Sequence, residues 1–554
     1  MVALRLGIAI CSACLLVTAV SAGAASTRPP SATVLVVTGR GWGHGLGMSQ
    51  WGARGYALHG WSYQRILAHY YPGTVLGRVG QPRVRVLLLQ GDRIVTIGCP
   101  SAMKVSDSTG IYRQLAAGTY GVSSKLVFPV RRVTVRDGRQ AKPVVHTLGR
   151  QLSPPVVVQC PHDPLLLDGR AYHGDLVLRR SGSTLSVVSS LPLEAYVRDV
   201  VGAEMPNGWS PAALEAQAVA ARSYAVAELR PGEPFDLYPD DRNQTYGGVR
   251  AESPSTDAAV AKTSGQVLMW DGRVATTYYS TSSGGRTADI RDLDPGAAPV
   301  PYLRPVPDPY DAASPHHVWQ PVSFTPEELG ARLGAGGAVS SVRIVRGPGG
   351  RATEVDVGLV SGSVEQLTGK RVAQALRLRS TWFFVGELTL SASSGRVVYG
   401  HPVRLLASDS SAPATIEQKV GGGPWTTLRG LRIRTQLAVE PRAATLFRVV
   451  EPGVTGPAIA VSVAPRVKVR PLSPTLLGGT IEPVPTAAVT LWRYARTGWA
   501  LVARPRPDAQ GVFRTHLRLR AGGYRVSVAG DSHLAATEVR IVVSKRLLAS
   551  LRGR

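Results

Sequence analysis

Cysteine is scarce in this chain of 554 residues, which contains four residues of that type. Cys11 and Cys14 fall in an apolar N-terminal stretch, so the rest of the chain has Cys99 and Cys160 alone. The spacing of this pair is not that of a metal site. In an exported protein an isolated pair predicts a disulfide, and two reduced thiols are the alternative.

Acidic residues are also few relative to basic ones. The chain has 37 aspartates and glutamates against 63 lysines and arginines, which gives a formal net charge of +26. The excess is spread along the chain, and it forms no basic run interleaved with aromatic residues of the kind that nucleic-acid binders show. We therefore expect no nucleic-acid partner, and the charge favours anionic surfaces such as acidic wall polymers.

Long apolar runs are missing except near the N-terminus. Residues 6–20 form an apolar run after Arg5, and Ala22-Gly23-Ala24 has the small-x-small form of a cleavage site. This pattern predicts a signal peptide over residues 1–25 and a secreted protein located in the cell wall or another extracytoplasmic place. The run is short for a membrane span, and a retained membrane anchor is the alternative.

The stretch with the clearest chemical content is residues 191–228, for which we predict two helices joined by a tight elbow. Glu204 stands at that elbow. It lies four residues after Val200 and three after Val201, so it continues their apolar face. A carboxylate there is either partly buried or faces a cleft. Burial disfavours the charged form and raises the pKa, as a proton donor near neutral pH requires.

The second predicted helix begins with Ser210 as N-cap and Pro211 at its first position. It is rich in alanine, and small side chains let other backbone pack closely, so we expect this helix to be central. Gln217 and Arg222 are polar residues among the alanines. A structural ion pair between Arg222 and Glu204 is the alternative to a chemical role for that glutamate.

These residues resemble the SpoIID/LytB family, whose core carries Glu-x-Tyr, VVxxEMP and ALxAQAVAARxY. In that family the glutamate of the EMP element is the catalytic acid of a lytic transglycosylase acting on peptidoglycan. The resemblance implies this catalytic role for Glu204. It also implies a contribution to catalysis from Arg222, the arginine of AARxY.

Glycine occupies every second position of residues 39–47. In an extended chain this spacing leaves one face without side chains, so a ligand or another strand can approach closely. The pattern is not a dinucleotide fingerprint, because the spacing differs and no βαβ unit follows. His44, His59 and His69 have no tight ligand spacing and no carboxylate partner, so we predict no metal site from them.

Residues 39–74 also resemble the family, in which GxGxGHGxGMSQ normally stands at the C-terminal end of the domain. Its place before the rest of the domain resembles a circular permutation, which a fold tolerates when its two ends lie close together. We expect this segment to pack at the Glu204 cleft and to supply His44 and Gln50 to the substrate groove.

Three further elements resemble the family and contribute candidate substrate-binding residues. They are QTYGG, YSTSSGGRT and YLRPVPD, which match QxYGG, YxSxSGGxT and YLxxVxD. The predicted substrate-binding residues in them are Gln244, Tyr246, Ser280, Ser282, Gly284, Gly285, Tyr302 and Arg304. Some family members bind zinc at the second element through His and Cys residues. This chain has no cysteine there, so we expect neither a metal nor a cofactor.

The predicted fold class is α+β: a SpoIID-like catalytic core with an inserted β-rich domain, followed by two immunoglobulin-like β-sandwiches. The predicted segments are 32–79 (permuted part of the core), 80–190 (β-rich domain with Cys99 and Cys160), 191–385 (catalytic core), 386–466 and 467–546 (sandwiches) and 547–554 (a loose basic tail).

The resemblance implies a lytic transglycosylase that cleaves peptidoglycan glycan strands. Glu204 would protonate the leaving oxygen and, as a carboxylate, then take the proton of the C6 hydroxyl of the muramic residue. No second carboxylate is required, because the substrate supplies the nucleophile, unlike in two-carboxylate hydrolases. The alternatives are a non-catalytic wall-binding protein that stimulates a cell-wall amidase, which is the LytB role, and a structural wall protein held by charge.

Overall fold

A computed structural model describes residues 29–110, 112–132, 135–136, 139–140, 144–147, 151–410, 412–431 and 434–552. The predicted signal peptide, residues 1–25, lies outside these ranges. Within them, no helix combines the length and the apolar character needed to cross a membrane.

The fold class is α+β, as the sequence predicts. The described residues form many β-strands and eight α-helices. In chain order the helices are α1 (Gln50–Leu58), α2 (Tyr63–Tyr70), α3 (Leu193–Glu204), α4 (Pro211–Ala227), α5 (Pro254–Lys262), α6 (Pro326–Leu333), α7 (Gly369–Ala375) and α8 (Lys545–Arg552). Residues 547–552 belong to α8, whereas the sequence predicted a loose tail over residues 547–554.

The chain divides into two compact units. The site unit comprises Thr38–Trp319 and Ser341–Phe384. The second unit comprises the described residues of Met1–Val37, Gln320–Ser340 and Val385–Arg554.

The site unit contains a β-rich region with two six-stranded sheets. One has the order Arg83–Gly91, Thr184–Pro192, Asp175–Ser181, Val156–Gln159, Met103–Ser106 and Tyr112–Leu115. The other has the order Val144–Thr147, Pro129–Arg132, Gly118–Val122, Val95–Cys99, Leu165–Leu167 and Arg170–Tyr172. Alternate residues such as Val156 and Val158 are buried, so the two sheets share one hydrophobic core.

The predicted disulfide between Cys99 and Cys160 is present, with the two Cα atoms 5.9 Å apart. Cys99 ends a strand of one six-stranded sheet, and Cys160 directly follows a strand of the other. The bond therefore joins the two layers of the β-rich region.

Smaller sheets complete the site unit. They are Val135–Arg136 with Arg139–Gln140; Arg273–Val274, Gln266–Trp270 and Val75–Arg78; Met48–Ser49 parallel to Tyr279–Ser280; and Val339–Arg346, Ala352–Leu359 and Val364–Thr368. Short 3-10 helices cover Val249–Ala251, Ile290–Asp292, Pro301–Leu303 and Pro309–Ala313.

Helix α4 lies at the centre of the helical part of the site unit. Its residues are buried without a break from Ala213 to Ala225. It contributes to two hydrophobic clusters, with Val219 in one and Ala218 in the other. Pro211 starts the helix and Ser210 is its N-cap residue, although the serine side chain makes no capping hydrogen bond.

The two ends of the site unit lie side by side. The backbone N–H of Arg40 donates to the oxygen of Trp382 at 2.9 Å, and that of Gly43 donates to the oxygen of Arg379 at 2.9 Å. This proximity is the condition under which a circular permutation preserves a fold.

The glycine-rich segment differs from the predicted extended strand. Gly41, Gly43, Gly45 and Gly47 all have positive φ angles, between 63° and 95°. A Cβ at Gly45 would lie 1.8 Å from Nη2 of Arg351, and one at Gly47 would lie 2.0 Å from the oxygen of Tyr278. Glycine is therefore required for two reasons: the backbone has positive φ angles, and other protein atoms leave no space for a Cβ.

The second unit consists mainly of antiparallel sheet. Its first sheet has the order Val322–Phe324, Ser31–Gly39, Phe383–Ala392, Val403–Ser408 and Arg434–Val439. Its second contains Arg396–Val398, Ile459–Ala464, Thr445–Glu451, Thr415–Val420 and Trp425–Gly430, with Val454–Thr455 at its side. Val34 and Val36 lie in the core that these sheets share, so residues 32–37, assigned to the catalytic core from the sequence, lie in this unit.

The C-terminal part of the second unit has two further sheets around one core. They are Arg466–Ser473, Leu476–Glu482 and Val512–His516, and Gly498–Ala503, Val489–Ala495, Gly522–Val528 and Thr537–Val543. The division of residues 386–546 into two immunoglobulin-like sandwiches stays a prediction.

Candidate functional site

The carboxylate of Glu204 is the meeting point of three segments of the site unit. Glu204 is half-buried and is the last residue of α3. Its Oε1 accepts a hydrogen bond from the backbone N–H of Thr245 at 2.7 Å, and its Oε2 accepts one from Nε2 of Gln50 at 3.1 Å. The carboxylate is therefore held in one orientation while part of it stays accessible.

Pro206 explains why α3 ends here, because the residue before a proline disfavours helical backbone. Tyr196, Val200 and Val201 are fully buried and hold the helix against the core. Gly202 contacts residue Ala251 so closely that an added Cβ would lie 2.0 Å from its backbone oxygen. The chain then leaves the helix at Met205, which is buried in an extended conformation.

Gln50 reaches Glu204 from the N-terminal segment, which the sequence places 154 residues away. It is the first residue of α1 and is buried, and Ser49 caps the helix by accepting from the N–H of Gly52. The short parallel pairing of Met48 with Tyr279 fixes the entry to α1. The structure thus brings Gln50 and Glu204 together, as expected from the sequence.

Gln244 holds the loop that carries Thr245. Its Oε1 accepts from the hydroxyl of Tyr196 at 2.8 Å, and its Nε2 donates to the hydroxyl of Tyr279 at 2.9 Å and to the oxygen of Ala221 at 3.3 Å. The side chain is buried, so the structure corrects the prediction that Gln244 contacts substrate. It positions the loop, because its polar atoms are used inside the protein.

Tyr246 is also buried rather than open to a sugar. Its ring stacks between those of Tyr172 and Tyr196, with centroids 5.9 and 5.5 Å away. Its predicted contact with substrate is therefore corrected to a packing role in the same loop.

Asp308 and Asp311 organise the Ser/Gly loop at residues 280–285. Asp311 accepts hydrogen bonds of 2.8–3.0 Å from the hydroxyls of Ser49 and Ser282 and from the backbone N–H groups of Ser283 and Gly284. Asp308 accepts from the hydroxyls of Tyr70 and Ser283. The loop donors among these, from Ser282, Ser283 and Gly284, were predicted to bind sugar, but they are committed to two buried carboxylates.

The other residues of this loop are likewise turned inward. Ser280 is buried, and its Cβ lies against Gly43. Gly285 donates its N–H to the hydroxyl of Ser283. The predicted substrate contacts of Ser280, Ser282, Gly284 and Gly285 are therefore not formed by free donors on an open surface.

His44 is half-buried and lies apart from the contacts of Glu204. Its Nδ1 accepts from the N–H of Leu46 at 3.0 Å. Burial, together with the positive charge of Arg351, lowers the pKa of His44 to about 4, so the imidazole is neutral near neutral pH. With Lys370 and Arg379 it lines a cavity of about 480 Å³ that does not include Glu204.

The remaining predicted binding residues are more accessible. Tyr302 is half-buried; its hydroxyl accepts from the N–H of Thr276, and its ring lies 5.7 Å from that of Trp270. Arg304 is exposed.

Arg222 does not contact Glu204. It is fully buried and forms a bidentate pair with Glu194, in which Nε and Nη2 donate at 2.8 and 2.7 Å. Burial opposes ionisation of Glu194, but the hydrogen bond and charge of Arg222 outweigh it and lower the pKa. The predicted catalytic contact of Arg222 is corrected to an internal ion pair with a different glutamate.

Two tryptophans flank the elbow and were missed from the sequence. Trp51 follows Gln50 in the chain, and Trp209 lies five residues after Glu204. Both are half-buried, their rings meet at 5.1 Å, and the guanidinium of Arg54 lies over both rings. We call Trp51 and Trp209 the tryptophan pair; its signal in the sequence was one tryptophan directly after GHGxGMSQ and another three residues after the EMP element.

Comparison with known proteins assigns the region around Glu204. Residues 181–270 match the family described as SpoIID, stage II sporulation protein. Over these residues the chain resembles the SpoIID/LytB family. The matched residues include α3, the elbow with Glu204, and α4.

Curated relatives resemble parts of this chain. An uncharacterized protein of Brachyspira hyodysenteriae is 36% identical over 144 residues, which cover 26% of this chain and 39% of that protein. Stage II sporulation protein D of Bacillus amyloliquefaciens is 29% identical over 216 residues, 35% of this chain and 60% of that protein. The amidase enhancer of Bacillus subtilis is 38% identical over 108 residues, 19% of this chain and 14% of that protein.

The chain thus spans 60% or less of the length of each of these three relatives. Among solved structures, the ligand-binding domain of human OSCAR is 15% identical to this chain. The match covers 28% of this chain and 96% of that domain. Its TM-score of 0.13 is too low to carry an argument about the fold.

Proposed function

We propose that this protein is exported to the cell wall and is a lytic transglycosylase that cleaves peptidoglycan glycan strands with Glu204 as its acid and base. The observation that carries the proposal is the orientation of the Glu204 carboxylate by Gln50 and Thr245 at an accessible elbow. A general acid has to be fixed within hydrogen-bonding reach of substrate, and this carboxylate is both fixed and partly accessible.

The reaction needs one carboxyl group. Protonated Glu204 donates its proton to the oxygen that links the muramic residue to the next sugar, and the C1–O bond breaks. The C6 hydroxyl of the muramic residue then bonds to C1, and the Glu204 carboxylate takes the hydroxyl proton. The products are a 1,6-anhydromuramic end and a free sugar hydroxyl, and the acid is regenerated.

The tryptophan pair supports a sugar-binding role for this surface. Aromatic rings offer flat apolar area that matches the face of a pyranose, and the indole N–H groups add polar contacts. Because Trp51 and Trp209 adjoin Gln50 and the elbow, a glycan bound across them would pass Glu204. Tyr302 and Arg304 are retained as candidate contacts farther along the strand.

The second candidate function is that of a wall-binding protein that stimulates a separate amidase. The observation that favours it is the similarity to the amidase enhancer of Bacillus subtilis. In this role the site unit binds glycan and Glu204 contributes hydrogen bonds alone.

Incubation of the purified protein with peptidoglycan, followed by mass spectrometry of the soluble products, tests the proposal. We expect 1,6-anhydromuramic products from wild type and at least about a 100-fold slower release from Glu204→Gln, which keeps the shape and removes the proton donor. Glu233→Gln is the matched control, because Glu233 is an exposed glutamate of the same unit.

The rivals give different results in the same assay. Cleavage by Glu204→Gln at the wild-type rate contradicts the proposal. Absence of anhydro products from the wild type, together with faster peptide release when an amidase is added, supports the enhancer role instead. Both peptide-free glycan and intact peptidoglycan serve as substrates, so a requirement for prior removal of peptides is visible.

A further inference from the structure

His173, Asp199 and Glu252 converge from three separate segments of the site unit. One ligand atom of each lies within 4.8 Å of those of the other two. His173 precedes the strand Asp175–Ser181 of the β-rich region, Asp199 lies on α3, and Glu252 follows the 3-10 helix Val249–Ala251. The cluster therefore joins the β-rich region to the helical part.

Asp199 supplies the observation that points to a ligand. Its side chain is fully buried, and neither carboxylate oxygen has a hydrogen-bond partner. The hydroxyl of Tyr246 lies close enough to affect the carboxyl group, yet the two make no hydrogen bond of acceptable geometry. A buried carboxylate without a partner is costly, so a cation bound beside it would stabilise it.

The surroundings of Asp199 are mainly acidic. Glu252 and Asp257 are neighbouring carboxyl groups, and Arg198 is the cation beside them. Oδ1 of Asp257 is also buried without a hydrogen-bond partner. Arg198 donates to Oε1 of Glu252 at 2.9 Å and leaves Asp199 unpaired.

We propose that His173, Asp199 and Glu252 form a site for one divalent metal ion of the zinc type. One imidazole nitrogen with two carboxylates suits Zn²⁺, whereas Ca²⁺ and Mg²⁺ prefer oxygen ligands throughout. Nε2 of His173 now shares a proton with Oε1 of Glu252 at 2.9 Å. Binding replaces that hydrogen bond with coordination bonds and leaves the imidazole proton on Nδ1.

The site differs from the other cluster of potential ligands among the described residues, Cys99, Cys160 and Asp163. There the two sulfur atoms are joined in a disulfide and cannot act as thiolate ligands. The proposed site is also separate from the Ser/Gly loop at residues 280–285.

The role that follows for the ion is structural, next to the Glu204 elbow. The backbone oxygen of Asp199 accepts from the N–H of Gly247 at 3.4 Å, and Tyr246 packs in the same loop. That loop carries Thr245, which donates to Glu204. An ion bound at Asp199 would therefore tie α3, the Thr245 loop and the β-rich region into one assembly.

Metal analysis of the mature protein tests the site. We expect about one Zn²⁺ per chain by mass spectrometry of the purified protein, loss of the ion on treatment with a chelator, and a fall in melting temperature that added Zn²⁺ reverses. Calorimetric titration of the stripped protein with Zn²⁺, Mn²⁺ and Ca²⁺, each alone, ranks the ions.

Two variants and a control make the test specific. Asp199→Asn and His173→Ala should each weaken Zn²⁺ binding at least about 100-fold. Glu215→Gln, which changes a buried carboxylate of α4 outside the cluster, should bind as wild type does. If Asp199→Asn does not fold, His173→Ala still decides, because His173 lies at a partly exposed turn.

The competing explanation is a proton on Asp199, since burial raises the pKa of this carboxyl group to about 7. In that case stripped wild type binds none of the three ions more tightly than millimolar concentrations, and the chelator leaves the melting temperature unchanged. Either result overturns the proposal, as does equal Zn²⁺ affinity in the two variants. Tighter binding of Ca²⁺ than of Zn²⁺ overturns the role of the imidazole.

Discussion

Replacing Arg222 by methionine distinguishes a structural from a chemical role for this arginine. The guanidinium is fully buried and makes a bidentate pair with Glu194. Its other hydrogen bonds go to the backbone oxygens of Ala218, Val260 and Gln266. All its partners are internal, so we expect Arg222→Met to lower stability and to leave glycan cleavage per folded molecule near that of wild type.

The geometry sets the size of the effect. Removal of one member of a buried ion pair costs about 3–5 kcal/mol. The side chain of Glu194 is 17% exposed, so solvent stabilises its charge in part after the arginine is removed. We therefore expect the free energy of unfolding to fall by about 3 kcal/mol. For a unit that spans 326 residues, about 3 kcal/mol corresponds to a fall in melting temperature of roughly 4 °C.

Glu194→Gln provides the reciprocal measurement. It breaks the same pair from the exposed end, and the double variant should lose less stability than the sum of the two single changes. Denaturant unfolding gives the free energies of unfolding, and release of anhydromuramic products is compared at a temperature where every variant is folded. A folded Arg222→Met protein with wild-type stability and no cleavage would refute this reasoning and return Arg222 to the catalytic group.

Two further changes test the surroundings of Glu204 and of the Ser/Gly loop. Gln50→Leu removes one hydrogen bond to the Glu204 carboxylate and should slow product release roughly 10-fold with little change in melting temperature; an unchanged rate would show that Gln50 does not orient the acid. Burial, then the nearby Asp311, raises the pKa of Asp308 to about 7. Between about pH 4 and pH 7 the native state keeps this proton, whereas the unfolded state has lost it. The free energy of unfolding therefore falls as the pH rises through this range, by at most roughly 4 kcal/mol. Asp308→Asn should flatten the curve of melting temperature against pH, and an unaltered slope would contradict the assignment.

The helices around Glu204 were predictable because their signals are local. The apolar spacing around Val200 and the proline at position 211 each act within a few residues. The disulfide was predictable because the chain offers one pair of cysteines outside the N-terminal stretch. Each of these inferences needs only the sequence within an element, or a simple count.

The inward turn of the Ser/Gly loop was not predictable in the same way. Its donors are satisfied by Asp308 and Asp311, which lie 25–29 residues farther along the chain. No local pattern marks a carboxylate as the acceptor of a distant serine. The partner of Arg222 had a clearer signal in the sequence, because Glu194 is the glutamate of the Glu-x-Tyr element. The pairing itself becomes visible only when α3 packs against α4.

The glycine-rich segment shows a different limit. Alternating glycines are compatible with a bare extended face, and the sequence favoured that interpretation. The structure instead has positive φ angles at Gly41, Gly43, Gly45 and Gly47, with Arg351 pressed against one of them. The reason for those glycines therefore lies partly in a side chain more than 300 positions away, which only the fold reveals.

The pairing of residues 40–43 with residues 379–382 also has a consequence for the order of events during synthesis. The ribosome completes the glycine-rich segment early, yet its backbone partners at Arg379 and Trp382 are made some 340 residues later. Gln50 belongs to the same N-terminal segment, so the segment that supplies a hydrogen bond to Glu204 is itself held by residues near position 380. A chain that ended before residue 379 would lack the backbone partners that hold this segment in place.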